Sequence, residues 1–301
     1  MSPRIPLLII SGQTATGKTS LAIKLAKKFN GQLISADSRQ IYRGLDIGTG
    51  KDHPPNTTIH LIDIINPDQT FSVIKFHRLA TAQIKKIHQA GKLPIVVGGT
   101  GYYIKSLLSP HFAPVPPHHS FRKICSYLPL SLIQFVNSIL NSQQYRQLNK
   151  SEKNNHHRLI RKLEIKIFPP SAPPISPPNY NYLHLCLTAP KELIDKRIDQ
   201  RVKKRLKDGL LLEIKNLLKK YSWSDPGLNT LAYKEFSSYF AHPHPQNEKQ
   251  AITLWRQHEH AYAKRQFTWF KKQKSVHLLD ISSPTFNKTV KSLFSKWYNQ
   301  L

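Results

Sequence analysis

Acidic residues are scarce in this chain of 301 residues: Asp and Glu number 17 against 45 Lys and Arg, a formal net charge of +28. An enzyme of small metabolites has no need of that imbalance, which costs self-repulsion in the compact state. The natural partner is a polyanion, with nucleic acid ahead of an acidic membrane surface or mere solubility. The basic residues are spread over the second half, in KKRLKDG, LLKKY, YAKRQ and WFKKQK, and form no single tail. That spread argues against a disordered basic arm. Cysteine is nearly absent, with only Cys125 and Cys186, far apart. Two such thiols exclude a disulfide framework and give no paired zinc spacing; a reduced cytosol fits. Long apolar runs are missing as well. The start, MSPRIPLLII, is too short an apolar run for a signal peptide. No stretch approaches the roughly 18 apolar residues of a membrane span. The expectation is a soluble, cytoplasmic protein with no membrane partner, and a monomer by default.

Hydrophobic residues still make up 39% of the chain, enough for a core. Ile5–Ser11 is a short apolar run closed by glycine and reads as a buried strand; Leu33–Ala36, Ile59–Ile65 and Leu93–Val97 read the same way. Between them the apolar spacing of Thr19–Phe29 and Val73–Gln89 is helical. Strands alternating with helices predict an α/β fold, a parallel sheet flanked by helices. Two Pro-rich runs, SPHFAPVPPHH and FPPSAPPISPP, bracket a polar helical stretch over Ser120–Glu164. They predict a small helical insertion domain over 111–178, set in a core of 1–110 and 179–301. Tyr182–Leu187 reads as a strand returning to the sheet, and everything after Pro190 as helical and basic.

The sharpest motif lies between the first strand and the first helix. Gly12-Gln13-Thr14-Ala15-Thr16-Gly17-Lys18-Thr19 matches G-x-x-x-x-G-K-[ST]. The glycines let successive N–H groups face one anion, and the helix start adds its positive end. Lys18 reaches an outer phosphate, and the Thr19 hydroxyl is placed to ligate Mg²⁺. Such a loop says diphosphate or triphosphate; kinases, NTPases and other transferases all use it.

Asp37 falls just past the second strand, on the edge where parallel sheets bind ligands. It reads equally as a general base and as a helix N-cap. Gly98, Gly99, Thr100 and Gly101 follow another strand and mean close backbone approach to something, or a tight turn. Arg197, Arg201 and Arg205 share one helix face at steps of four, either a phosphate clamp or a solvated face. In WRQHEHAYAKRQFTWFKKQK, Trp255, Tyr262, Phe267, Trp269 and Phe270 alternate with Lys264, Arg265, Lys271 and Lys272. Stacking faces for bases and core packing both fit, on different faces. His242, His244, His258 and His260 match no common zinc spacing, and no metal is expected there.

Taken together, SGQTATGKTSLA, ISADSRQIYRGLDIGTGK, HLIDI, VVGGTGYYIKSLL, HRLIRKLEI, RIDQRV, DGLLLEIKNLL, LAYKEF and YAKRQFTWF resemble the tRNA dimethylallyltransferase (tRNA isopentenyltransferase) family, in its order and over nearly the whole chain. The resemblance implies a P-loop kinase-like core that binds dimethylallyl diphosphate with Mg²⁺ as cofactor. It implies prenylation of N6 of the adenosine 3′ of the anticodon, position 37, in tRNAs reading codons that begin with U. It implies that Thr14–Thr19 hold the diphosphate, that Asp37 is the general base, that Thr100 sits by the reacting centre and that Arg201 faces the diphosphate. Asp37, Ser38, Arg39 and Gln40 would face tRNA. Further tRNA contacts are implied at Arg122, at His157, Arg158, Leu159, Ile160 and Arg161, at Asn229, Tyr233 and Lys234, and at Lys264, Arg265, Gln266, Trp269 and Lys271. The chain departs from the family's usual residues at His156, at Ala232 (usually Gly), and at Glu259 and His260 (usually Thr-Arg). A small-molecule P-loop kinase and a catalytically inactive tRNA-binding relative are the rival readings.

Overall fold

The computed structural model describes residues 4–51, 54, 57–109, 117–168, 178–273 and 275–301. Within them β1 (Ile5–Gly12), β2 (Gly31–Ser35), β3 (Ile59–His60), β4 (Leu93–Val97), β5 (Tyr180–Thr188) and β6 (His277–Asp280) form one sheet, in the order β3-β2-β4-β1-β5-β6. Every pairing is parallel. The helices are α1 (Lys18–Lys28), α2 (Val73–Gln89), α3 (Gly101–Leu108), α4 (His119–Ser126), α5 (Leu130–Leu140), α6 (Ser142–Arg146), α7 (Lys150–Lys153), α8 (His156–Ile167), α9 (Lys191–Lys207), α10 (Leu210–Leu217), α11 (Ser237–Ala241), α12 (Pro245–Phe270) and α13 (Phe286–Tyr298). The fold is α/β, a parallel sheet flanked by helices. It separates into two compact units, Met1–Leu108 with Pro177–Leu301, and Ser109–Ser176. Most of the two Pro-rich runs, 110–116 and 169–177, lies outside the described residues.

The continuous apolar runs of the inner strands follow from burial on both faces. Leu8, Ile10, Leu33, Ile95, Leu185 and Leu187 point to one side, against Ala22 and Ala26 of α1 and Val290, Phe294 and Trp297 of α13. Their neighbours Leu7, Ile9, Ile34, Val96 and Cys186 point to the other, against Phe76, Ala80 and Ile84 of α2, Tyr103, Ile104 and Leu107 of α3, and Phe270. A third cluster joins α9, α10 and α12 around Ile198, Val202, Ile214, Tyr233, Phe236 and Trp255. Each large side chain buried there contributes about 1.5–3 kcal/mol. In the smaller unit Cys125, Ile133, Leu159, Ile160 and Leu163 form a separate core among α4, α5 and α8.

Two expectations are corrected. Ile59–Ile65 is a strand only over Ile59–His60, because Leu61 and Asp63 take positive φ of 65° and 56°, which no strand accommodates. Ile65 keeps one isolated bridge, to Tyr42. The region after Pro190 is not all helical: β6 closes one edge of the sheet beside β5. Only Leu279 of that strand is buried, so its sequence carries no alternation.

Candidate active site

The strands deliver the candidate residues to one edge of the sheet, because in a parallel sheet every carboxyl end lies on the same side. β1 ends in the phosphate-loop motif. Ser11, just before it, pairs with the buried His184 of β5 at 2.7 Å, which fixes the strand beneath the loop. Burial, and then His277, push His184 down to about 4, so the pair is neutral. Gly17 caps α1 with a φ of 81°, a left-handed conformation that favours glycine. No side chain caps this helix and its first turn carries no acid. Its leading N–H groups are therefore available to an anion. Lys18 Nζ donates to the Gln13 carbonyl at 2.6 Å. Burial, and then the neighbouring Arg201, lower the Lys18 ammonium to about 8, with Asp37 opposing.

β2 delivers Asp37. Its Oδ1 accepts from the backbone N–H of Arg39 at 2.8 Å, and Thr100 Oγ1 accepts from the Ser38 N–H at 3.1 Å. Thr100 thus reaches the site through Ser38, as a brace for the Asp37 turn. The glycines after β4 approach protein rather than open space: a Cβ on Gly99 would stand 2.1 Å from Gln266, and one on Gly101 2.0 Å from Trp269. Gln266 ties three segments together. Its Oε1 accepts from the Thr14 N–H at 2.7 Å, and its Nε2 donates to the Gly99 carbonyl at 3.1 Å. One amide of the phosphate-loop motif therefore serves α12, and Gln266 is buried behind the loop. Gln40 is likewise engaged inward, between Ser35 and the Gly50 carbonyl.

The arginines of α9 turn inward. Arg197 donates to the Ala15 carbonyl at 3.3 Å, and Arg205 to the Gly48 carbonyl at 2.8 Å. Arg201 donates to Glu259 of α12 at 3.0 Å. Burial, and then Arg201, lower Arg205 to about 10. Of the two readings of this row, the solvated face is wrong for Arg205, which is 8% exposed. Opposite them, Glu213 accepts from the N–H groups of Asp46, Ile47 and Gly48 and from the Tyr233 hydroxyl at 2.6 Å. Tyr233 is fully buried, so its side chain packs inside the core beside the Asp46–Gly48 turn.

Two cavities meet here. The first, of about 480 Å³, is lined by Gly17, Lys18, Thr19 and Ser20 with the Thr49–Lys51 segment and Lys204. The second, of about 320 Å³, is lined by Ser38, Arg39, Asn229, Lys234, Tyr262 and Arg265. Thr14, Asp37, Thr49, Arg201 and Arg205 belong to both. The phosphate-loop motif thus lines one cavity at Asp37, and a basic hollow that includes Tyr262 shares the same carboxylate.

The aromatics of α12 divide by face. Trp255 and Phe270 are core, Trp269 packs against the sheet cluster, and Tyr262 looks into the second cavity. Phe267 is exposed beneath Lys271, and Arg265 lies over the Tyr262 ring; Lys264 is exposed. The histidines bind carboxylates, His258 to Glu235 and His260 to Asp199. In the smaller unit a hollow of about 490 Å³ gathers Arg122, Lys123, Ser126, His157, Ile160 and Arg161. Glu164 lies beneath it, receiving Arg122 through both carboxylate oxygens, at 2.9 and 2.7 Å, and Arg161 as well. Burial would raise the Glu164 carboxyl, but those guanidinium groups and the His118 N–H bring it down to about 2. Arg158 is exposed and pairs with Glu152, whereas Leu159 is core and its side chain offers no surface. Sequence reasoning missed Thr49 and Glu259 as wall residues, and Glu213 as the acceptor that holds the Asp46–Gly48 turn. The signal for Glu259 was its rarity, since α12 holds only two acids among its many cations.

Comparison with known proteins gives the same direction. The family model described as IPP transferase matches residues 40–273. A tRNA dimethylallyltransferase of Roseiflexus sp. (strain RS-1) is 36% identical over 97% of this chain and 99% of its own. That of Carboxydothermus hydrogenoformans is 35% identical, over 96% of both. The crystal structure of the full-length tRNA isopentenylpyrophosphate transferase from Bacillus halodurans matches with a TM-score of 0.70, 30% identity and 99% of each chain. A eukaryotic dimethylallyltransferase acting on tRNA matches with a TM-score of 0.78 and 26% identity, over 96% of this chain and 77% of that one. A family model matched over residues 40–273, and relatives alike over nearly the whole chain, place this protein in the IPP transferase family.

Proposed function

We propose that the protein transfers a dimethylallyl group from dimethylallyl diphosphate to N6 of the adenosine at position 37, immediately 3′ of the anticodon, in tRNAs that read codons beginning with U. The observation that carries this is the place of Asp37, in the wall shared by two cavities. The diphosphate occupies the first, on the α1 amides and Lys18. The adenine, unstacked from the anticodon loop, enters the second. A bond forms between N6 and the prenyl carbon as the carbon–oxygen bond to diphosphate breaks. Asp37 takes the proton the amine loses. Lys18, Arg201 and the α1 amides stabilise the charge that grows on the departing diphosphate.

Magnesium fits this site. Thr19 presents a hydroxyl in the first turn of α1, inside the first cavity, and Mg²⁺ typically takes few protein ligands beside phosphate oxygens and water. Bound there, it would neutralise part of the diphosphate charge. The exposed residues Arg39, Lys234, Lys264 and Arg265 in unit 1, and in the smaller unit the exposed His157 with the partly buried Arg122 and Arg161, would meet phosphates and loop bases of tRNA. Both cavities are built from one compact unit, so a single chain suffices. The reaction takes place where tRNA is, in the cytoplasm.

The test is mass spectrometry of unmodified total tRNA incubated with the protein and either dimethylallyl diphosphate or ATP. The expected product is N6-dimethylallyladenosine, formed only with the prenyl donor. A phosphorylated small acceptor formed from ATP, with no prenyl gain on tRNA, identifies a kinase. Tight tRNA binding with no turnover identifies an inactive relative.

A further inference from the structure

Glu259 is the odd group in the site. It is 5% exposed and sits on α12 in the wall of the second cavity. Its Oε2 accepts from Arg201 Nη2 at 3.0 Å, Arg205 Nη1 lies 3.6 Å from its Oε1, and the Trp255 indole N–H donates to that same oxygen at 3.3 Å. A carboxylate taken out of water costs several kcal/mol unless cations and donors offset it. Here they do, and the reverse also holds. Arg201 and Arg205 are both at the first cavity beside Lys18, and three cations packed together need an anion. Arg205 has a second partner in the Gly48 carbonyl, and it is the more deeply buried of the two. Arg201 has the more exposed side chain, at 27%, and it is the guanidinium free to turn from one anion to another.

We propose that Glu259 is an internal counter-ion of the diphosphate site, a positioning residue that holds Arg201 and gives it up to the diphosphate when the donor binds. The proposal rests on the first cavity being a diphosphate site. The two anions compete for one guanidinium, so Glu259 weakens binding of the donor and of the product diphosphate alike. It thereby favours product release while keeping Arg201 aimed between turnovers. A purely structural carboxylate would change stability and leave diphosphate affinity alone.

The experiment is calorimetric titration of the wild type, Glu259→Gln and Glu259→Asp with inorganic diphosphate in the presence of magnesium ions, together with kcat and KM for prenyl transfer. In Glu259→Gln the diphosphate becomes the sole anion for Arg201. Its Kd should fall at least fivefold, KM for the donor should fall with it, and inhibition by diphosphate should strengthen. Glu259→Asp keeps the charge and should stay within about twofold of the wild type. Should Glu259→Gln not fold, a crystal structure of the wild type with inorganic diphosphate decides: Arg201 is expected on a diphosphate oxygen and beyond 4 Å from Glu259. Unchanged or weaker diphosphate binding in Glu259→Gln, or an intact Arg201–Glu259 contact in that complex, overturns the proposal. A wild type that does not bind diphosphate at all overturns the reading of the cavity and this inference with it.

Discussion

Lys18 carries the most specific expectation at the scale of one residue. Its ammonium is lowered to about 8, chiefly by burial and next by Arg201, and in the proposed reaction it would serve the diphosphate only while charged. Donor affinity is therefore full below pH 8 and lost as the pH rises through that value. kcat/KM for dimethylallyl diphosphate should fall about tenfold per pH unit above it, since that ratio reports the free enzyme. A profile flat to pH 9.5 would mean that Lys18 is not the titrating contact. Lys18→Ala should lose nearly all prenyl transfer while tRNA affinity, measured by filter binding, stays within about threefold. The phosphate-loop motif stands out in the sequence because each of its positions has a chemical reason, whereas Asp37 alone reads equally as a general base and as a helix N-cap. Glu259 was not legible, because its meaning depends on two arginines more than 50 positions away in α9.

Among the elements, the turn before α11 shows how a departure from the family pattern is absorbed. Ala232 adopts a φ of 77° and is fully buried, with its N–H donating to Glu235 at 2.9 Å. A left-handed alanine costs roughly 1–2 kcal/mol, and glycine removes that strain at the expense of about 0.4–1 kcal/mol through the unfolded chain. Ala232→Gly should leave stability unchanged or raise it by up to about 1.6 kcal/mol in a denaturant titration. A loss of more than 1 kcal/mol would mean that packing of the methyl group outweighs the strain. The strands and α2 were readable because burial on both faces and a helical stripe both leave a period in the sequence. β6 was not, since an edge strand with a single buried leucine leaves none. The glycines after β4 read in sequence as close approach or a tight turn; the groups that approach them, Gln266 and Trp269, are supplied by a helix more than 160 residues away.

For the whole molecule, charge is the dominant fact. A surplus of +28 cannot be spent on one diphosphate. It gives sequence-independent affinity for tRNA through counterion release, which makes binding steeply salt-dependent. Replacing Lys264 and Arg265 together by alanine should weaken tRNA binding at every salt concentration. It should also reduce the slope of log K against log salt by about one to two. An unchanged slope would place the RNA on another face. The fold class was readable at this scale, because strand–helix alternation has few solutions, whereas the basic hollow in the smaller unit was not. That hollow requires α4 and α8 to meet over the buried Glu164, and no local pattern announces such a meeting.

Everything converges on one carboxylate between two cavities, and a single measurement addresses it: single-turnover prenyl transfer by Asp37→Asn, with diphosphate and tRNA affinities measured on the same preparation. The expected result is a rate at least about 100-fold lower, within the range for loss of a general base, with both affinities within threefold of the wild type. A variant that transfers at near wild-type rate, or one that loses affinity in proportion to activity, would contradict the role given to Asp37.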